Sequence, residues 1–224
     1  MHPVFYFIIG CAILGGIGMG IANRKADAHT RRQRWIKYFS YLVITTVVIL
    51  AILNALLYWL AGIIILTGLY EVTMALRGPA KNGIIFEYAS PFIYVFIAGA
   101  FLVFPTHFTI EFQFAVYLQV LIFDAFSQVT GQVFGKHALA AAISPSKTVE
   151  GFIGGFIFCV IASIAVSGML EISWPKALLL GVITTISAFA GDLLASWFKR
   201  KTKIKDFSKL LPGQGGVLGR FDSF

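Results

Sequence analysis

Apolar residues run in long unbroken blocks along this chain, and polar residues gather in short clusters between them. Seven blocks approach or reach the ~20 residues that a membrane-crossing helix needs. They cover approximately residues 4–22, 38–54, 56–76, 84–104, 112–130, 151–170 and 176–198. The stretch from Tyr38 to Leu76 is too long for one helix, and its turn is expected near Asn54, a turn-tolerant residue. Pro105 is expected to close the fourth block, and Trp174-Pro175 to mark the turn before the seventh. The blocks do not alternate apolar with polar, which argues against a transmembrane β-barrel. The expected fold class is therefore all-α: a polytopic transmembrane helix bundle in which each helix satisfies its own backbone hydrogen bonds. No repeat, low-complexity segment or soluble domain interrupts it, so residues 1–224 read as one integral membrane domain.

Composition agrees. The chain is 58% hydrophobic and 12% charged, with a mean hydropathy of +0.84, about half the charged fraction of a soluble domain. The net charge of +8 and pI near 9.6 read as topological anchoring, not as a nucleic-acid surface. With the N-terminus outside, every lysine and arginine except Lys176 falls in the inner loops or the inner tail, as the positive-inside rule requires. The first block lacks a preceding basic region and reads as a retained helix, not a cleaved signal. Cys11 and Cys159 lie in apolar blocks and read as small hydrophobes. The three longest polar pieces, 24–37, 131–150 and the tail after Phe198, are all expected on the cytoplasmic side.

Candidate chemistry gathers at that side. Asp124 and Asp192 fall inside membrane blocks, where carboxylates are costly and usually functional; the plainer reading is that each pairs with a polar group of a neighbouring helix. Asp192, Ser196 and Lys199 follow i, i+4, i+7 spacing and share a helix face, as do Asp124 and Gln128. The loop 131–150, GQVFGKHALAAAISPSKTVE, carries Gly131 and Gly135, Lys136 and Lys147. Ser144-Pro145 is expected to turn the chain so that Ser146, Lys147 and Thr148 cluster at the next helix N-terminus, where an anion is favoured. A capped helix start with two anchoring lysines is the plainer alternative. The loop is not a Walker A motif, which spaces its glycines differently.

The tail runs from Lys199-Arg200-Lys201 to the loop Leu211-Pro212-Gly213-Gln214-Gly215-Gly216, with Asp206 and Asp222 among the cations. Snorkelling to headgroups accounts for Lys201 and Lys203 but not for a glycine loop beside carboxylates. The histidines have no ligand spacing, and neither a zinc cluster nor a nucleophile elbow is present. Carboxylates with Ser and Lys suit Mg²⁺ held together with phosphate oxygens.

These residues resemble the CDP-diacylglycerol synthase (phosphatidate cytidylyltransferase) family. Its signature is roughly S-x-x-K-R, four residues, K-D-x-S, then L-P-G-H-G-G-x-x-D-R-x-D. Ser196, Lys199, Arg200, Lys205, Asp206, Ser208, Leu211, Pro212, Gly213, Gly215, Gly216, Arg220 and Asp222 stand in register with it. Gly191-Asp192-Leu193, Phe134-Gly135-Lys136 and SPSKTVEG from Ser144 are also similar, so the family-like half covers about 120–224. Two positions depart: Gln214 replaces the usual His and Gly219 the usual Asp. The family ordinarily continues into another membrane helix beyond the position of Phe224.

The resemblance implies transfer of a cytidylyl group from CTP to phosphatidic acid, with release of pyrophosphate, at the cytoplasmic face of a bacterial inner membrane. It implies Mg²⁺ on Asp192 and Asp222, with Asp124 as the candidate for a second cation. Lys199, Arg200, Lys205 and Arg220 would take phosphates, with Ser196 and Asp206 in the same catalytic group. Ser144, Lys147 and Thr148 would form the opposite wall. Lys136, Ser208, Gly213, Gln214, Gly215 and Gly216 would complete substrate binding. Family members are often homodimers. A CTP-dependent lipid kinase, a non-catalytic relative and a transporter remain as alternatives.

Overall fold

A computed structural model describes residues 13, 16, 20, 23, 24, 27–78, 83–208, 210, 211 and 215–223. The first expected span, 4–22, lies almost wholly outside the described residues, as do Gly213 and Gln214. Helix α1 spans Ala28–Leu53, α2 Leu57–Leu76, α3 Ile84–His107 and α4 Ile110–Phe134. A hairpin of β1 (Ala138–Ala140) and β2 (Ser144–Thr148) leads into α5 (Val149–Ala165), followed by α6 (Trp174–Lys201) and the one-turn α7 (Leu218–Phe221).

The helix boundaries follow local chemistry. Asp27 caps α1 by accepting from the Thr30 amide at 2.9 Å. The α1–α2 break falls at Asn54–Leu56, where Ala55 takes left-handed backbone (φ 55°) and Asn54 Nδ2 donates to the Leu50 carbonyl at 2.8 Å. Pro105 does not close α3, which continues to His107. Instead the Gln113 amide donates to the Pro105 and Phe108 carbonyls, at 3.1 and 2.7 Å. Those acceptors at the helix end would otherwise be unmet. Thr148 caps α5 through the Gly151 amide at 3.1 Å.

Two expectations are corrected here. The fold is mostly helical but not all-α, because residues 138–148 form an antiparallel hairpin pairing Ala138 with Thr148 and Ala140 with Ser144. Ser146 and Lys147 therefore sit on a strand, and only Thr148 caps the helix. Helix α5 ends at Ala165, short of 170, because residues 166–171 form turns that place Glu171 at φ 53°.

Among the described residues, α1, α2, α3, α4 and α6 are long and apolar enough to cross a membrane, and α5 is a shorter apolar helix. Helix α4 lies against both α5 and α6, and Val120 and Phe123 form a buried cluster with Cys159 and Ala188. Close approach holds α4 to α5: a Cβ at Gly155 would stand 2.8 Å from Phe123. Small residues permit such contact in lipid, where van der Waals packing replaces the hydrophobic force between helices. A second cluster joins α1, α2 and α4 through Val48, Ile49, Ile52, Leu57, Phe114 and Tyr117. Outward side chains such as Ile85, Phe92 and Phe96 are 81, 77 and 80% exposed. A surface this apolar belongs in a bilayer, so the chain is an integral membrane protein.

Candidate active site

The hairpin, α1, α4, α6 and the C-terminal tail enclose a cavity of about 530 Å³. Asp124 on α4, Asp192 and Lys199 on α6, Lys147 on β2, and Arg220 and Asp222 on the tail all line it. At 1.5 Å per helical residue, Asp124 and Asp192 lie about 15 and about 14 Å from the C-terminal ends of α4 and α6. The cavity extends further along α1 to Tyr41 and Thr45.

Charge is matched across elements. Lys147 Nζ is hydrogen-bonded and ion-paired with Asp192 Oδ2, and Ser196 Oγ donates to Asp192 Oδ1 at 3.4 Å. Lys199 Nζ stands 3.9 Å from Asp222 Oδ2. Ser223 Oγ donates to Asp124 Oδ1 at 3.4 Å. Each ammonium also lies 5.3 Å from an aromatic centroid, Lys147 over Phe189 and Lys199 over Phe207, within cation–π range. Burial raises the Asp222 carboxyl above the ordinary carboxylate range, against the opposing pull of Lys199, Arg220 and Lys147. Burial lowers the Lys147 ammonium despite Asp124 and Asp222 nearby. Both shifts disfavour the charged form, as burial does.

The tail reaches the cavity because glycines let it approach. Gly215 takes φ 82°, which glycine adopts without strain, and Leu211 N donates to Gly215 O at 3.1 Å. Gly191 on α6 faces the Asp222 carbonyl so closely that a Cβ would collide with it. Phe221 packs against the α1–α2–α4 cluster.

The expected residues divide. Asp124, Asp192, Lys147, Lys199, Ser144, Thr148, Arg220 and Asp222 line the cavity, and Ser196 contacts Asp192. Lys136, Arg200, Lys205, Asp206, Ser208, Gly215 and Gly216 do not line it. Arg200 Nε donates to the Ile143 carbonyl at 3.0 Å and braces the hairpin turn. The Lys136 amide donates to Glu150 Oε2 at 3.1 Å. Asp206 packs beside Gly215, 3.1 Å from where its Cβ would lie.

Ser208 donates at 2.5 Å to Glu71, a residue absent from the expected set. Glu71 lies on α2 with 0% exposure and also accepts from the amides of Val217 and Leu218, at 2.9 and 2.8 Å. Its signal in the sequence was an acidic residue inside the apolar block 56–76.

The donor set suits a hard cation. Among the described residues no three carboxylate, histidine or cysteine groups converge into a complete metal cage. Mg²⁺ ordinarily takes one or two carboxylates and completes its shell with water and substrate phosphate. Asp192, Asp222 and Asp124, which line one cavity, fit that pattern.

A family model described as the cytidylyltransferase family matches residues 3–224. Over 110 residues the chain is 43% identical to a phosphatidate cytidylyltransferase of Staphylococcus aureus (strain COL). It is 44% identical to the corresponding protein of Staphylococcus haemolyticus and 42% to that of Staphylococcus saprophyticus. Each match covers 48% of this chain and 42% of the relative. With the family model spanning nearly the whole sequence, the chain belongs to the cytidylyltransferase family.

Proposed function

We propose that this protein transfers a cytidylyl group from CTP to phosphatidic acid, giving CDP-diacylglycerol and pyrophosphate. One observation carries the reading: three carboxylates and three cations from four chain segments line a single cavity between membrane helices. That combination suits a metal-bound triphosphate meeting an anionic lipid headgroup. The names of the relatives supply the substrates.

In this reading a phosphate oxygen of the lipid attacks the α-phosphorus of CTP. A new P–O bond forms, the bond to the β-phosphate bridging oxygen breaks, and pyrophosphate leaves. The attacking oxygen is already ionised at neutral pH, so no strong base is required. Catalysis then consists of positioning and of stabilising charge on the leaving group. Lys147, Lys199 and Arg220 hold phosphate oxygens. Asp192 and Asp222 would hold Mg²⁺, with Asp124 available to a second cation. Bound there, the metal would act as a Lewis acid that neutralises phosphate charge. Lys147 exchanges its Asp192 partner for a phosphate oxygen when substrate enters.

The charge distribution supports seven spans with the N-terminus outside and the cavity opening to the cytoplasm, where CTP is available. The acyl chains would stay in the bilayer. A second reading, binding without turnover, draws on Gly219, which lines the cavity where the family usually has Asp. CTP labelled at the α-phosphate separates the possibilities. Label in the lipid fraction supports cytidylyl transfer. Label there only from γ-labelled nucleotide indicates a kinase, and none from either indicates a binding protein.

A further inference from the structure

We propose that Glu71 is a positioning residue: from within membrane helix α2 it holds the tail that delivers Arg220 and Asp222 to the cavity. Glu71 touches none of the cavity charges. Among the described residues its fully buried carboxylate accepts three hydrogen bonds, all from the tail: Ser208 Oγ and Val217 N on Oε1, and Leu218 N on Oε2. The donors lie 137, 146 and 147 residues further along the chain.

Val217 is the cap residue and Leu218 the first residue of α7, whose first amides have no partner within the helix. Glu71 supplies that partner and so caps the turn on which Arg220 sits. From Leu218, two residues lead to Arg220 and four to Asp222. The next fixed points are Phe221 in the α1–α2–α4 cluster, the Asp222 carbonyl at Gly191, and Ser223 on Asp124.

Steric fit agrees with the bonding. A Cβ on Gly216 would lie 2.6 Å from Glu71 Oε2 and 2.7 Å from Oε1. The absence of a side chain at Gly216 is therefore what lets the loop close on the carboxylate. Glutamine cannot replace Glu71 here. Three donors converge on two oxygens, and an amide NH₂ at either position would face a backbone N–H.

The catalytic consequence rests on the proposed function, whereas the anchoring does not, and the test separates them. Glu71→Gln breaks the contact from α2. Gly216→Ala breaks it from the tail and leaves α2 intact. Hydrogen exchange on the full chain in nanodiscs is expected to quicken at least tenfold over 215–221 in both variants, with α4, α5 and α6 unchanged. Binding of Mn²⁺ alone, followed by electron paramagnetic resonance, is expected to weaken at least fivefold while the melting midpoint holds. In turnover the KM for CTP should rise by more than kcat falls.

Wild-type exchange over 215–221 in either variant overturns the proposal. So does faster exchange with unchanged Mn²⁺ affinity, which would make Glu71 an anchor without effect on the site. Loosening of the whole bundle by Glu71→Gln, with wild-type behaviour of Gly216→Ala, overturns it too. If the wild-type protein transfers no cytidylyl group, the proposed activity fails while exchange and Mn²⁺ binding still decide the role of Glu71.

Discussion

Lys147 on the hairpin and Asp192 on α6, 45 residues apart in sequence, are joined as an ion pair inside the cavity. The lysine neutralises a carboxylate that lies about 14 Å along α6 from its C-terminal end. A substrate–metal complex would replace both halves of that arrangement, cation for ammonium and phosphate for carboxylate. Lys147→Met should therefore raise the KM for CTP by about 10- to 100-fold, the loss expected for one charged hydrogen bond of about 1.5–3 kcal/mol. Steady-state kinetics at saturating lipid measures it.

Gly191→Ala should separate activity from stability. Alanine is the better helix former by about 1 kcal/mol, so α6 should lose nothing as a helix. The new Cβ would collide with the Asp222 carbonyl and push the tail from the cavity. Turnover should fall at least tenfold while the thermal midpoint stays within a few degrees. A fully active variant would show that the tail need not seat against α6.

Gly219→Asp should strengthen cation binding. The position lines the cavity, and among the described residues a Cβ there meets nothing closer than Phe207 Cδ2 at 3.8 Å. The added carboxylate is thus accommodated and increases negative charge beside Asp222. The Mg²⁺ concentration giving half-maximal turnover should drop several-fold, and a metal titration of both proteins would read it.

The pH profile should be narrowed from both sides. Asp222 is raised by burial, so it takes up its proton above the ordinary aspartate value of about 3.9. Cation binding should weaken as pH falls through that raised value, and excess Mg²⁺ should move the acid limb to lower pH. Lys147 is lowered by burial, so it loses its charge below the ordinary lysine value of about 10.4. The alkaline limb should therefore disappear in Lys147→Arg, provided that variant turns over, because guanidinium stays charged.

Much of this is legible in the amino-acid sequence. The break at Asn54 was readable because 39 residues from Tyr38 to Leu76 exceed one span. The face shared by Asp192, Ser196 and Lys199 was readable because helical spacing fixes it. The hairpin was not, since ALA and SPSKT carry little strand propensity. The contact that Arg200 makes was not readable either, because its partner is a backbone carbonyl 57 residues away, which no local pattern encodes. Glu71 was overlooked because it stands alone in its apolar block, and only the folded tail brings it three donors.

The most direct test is lipid-dependent pyrophosphate release from CTP and Mg²⁺ by purified protein, with wild type and Asp192→Asn compared at equal folded concentration. The account expects release only with phosphatidic acid, a CDP-lipid product in equal amount, and loss of at least 99% of it in the variant. Wild-type turnover by Asp192→Asn would contradict the role assigned to the cavity, and silence from folded wild-type protein would contradict the activity itself.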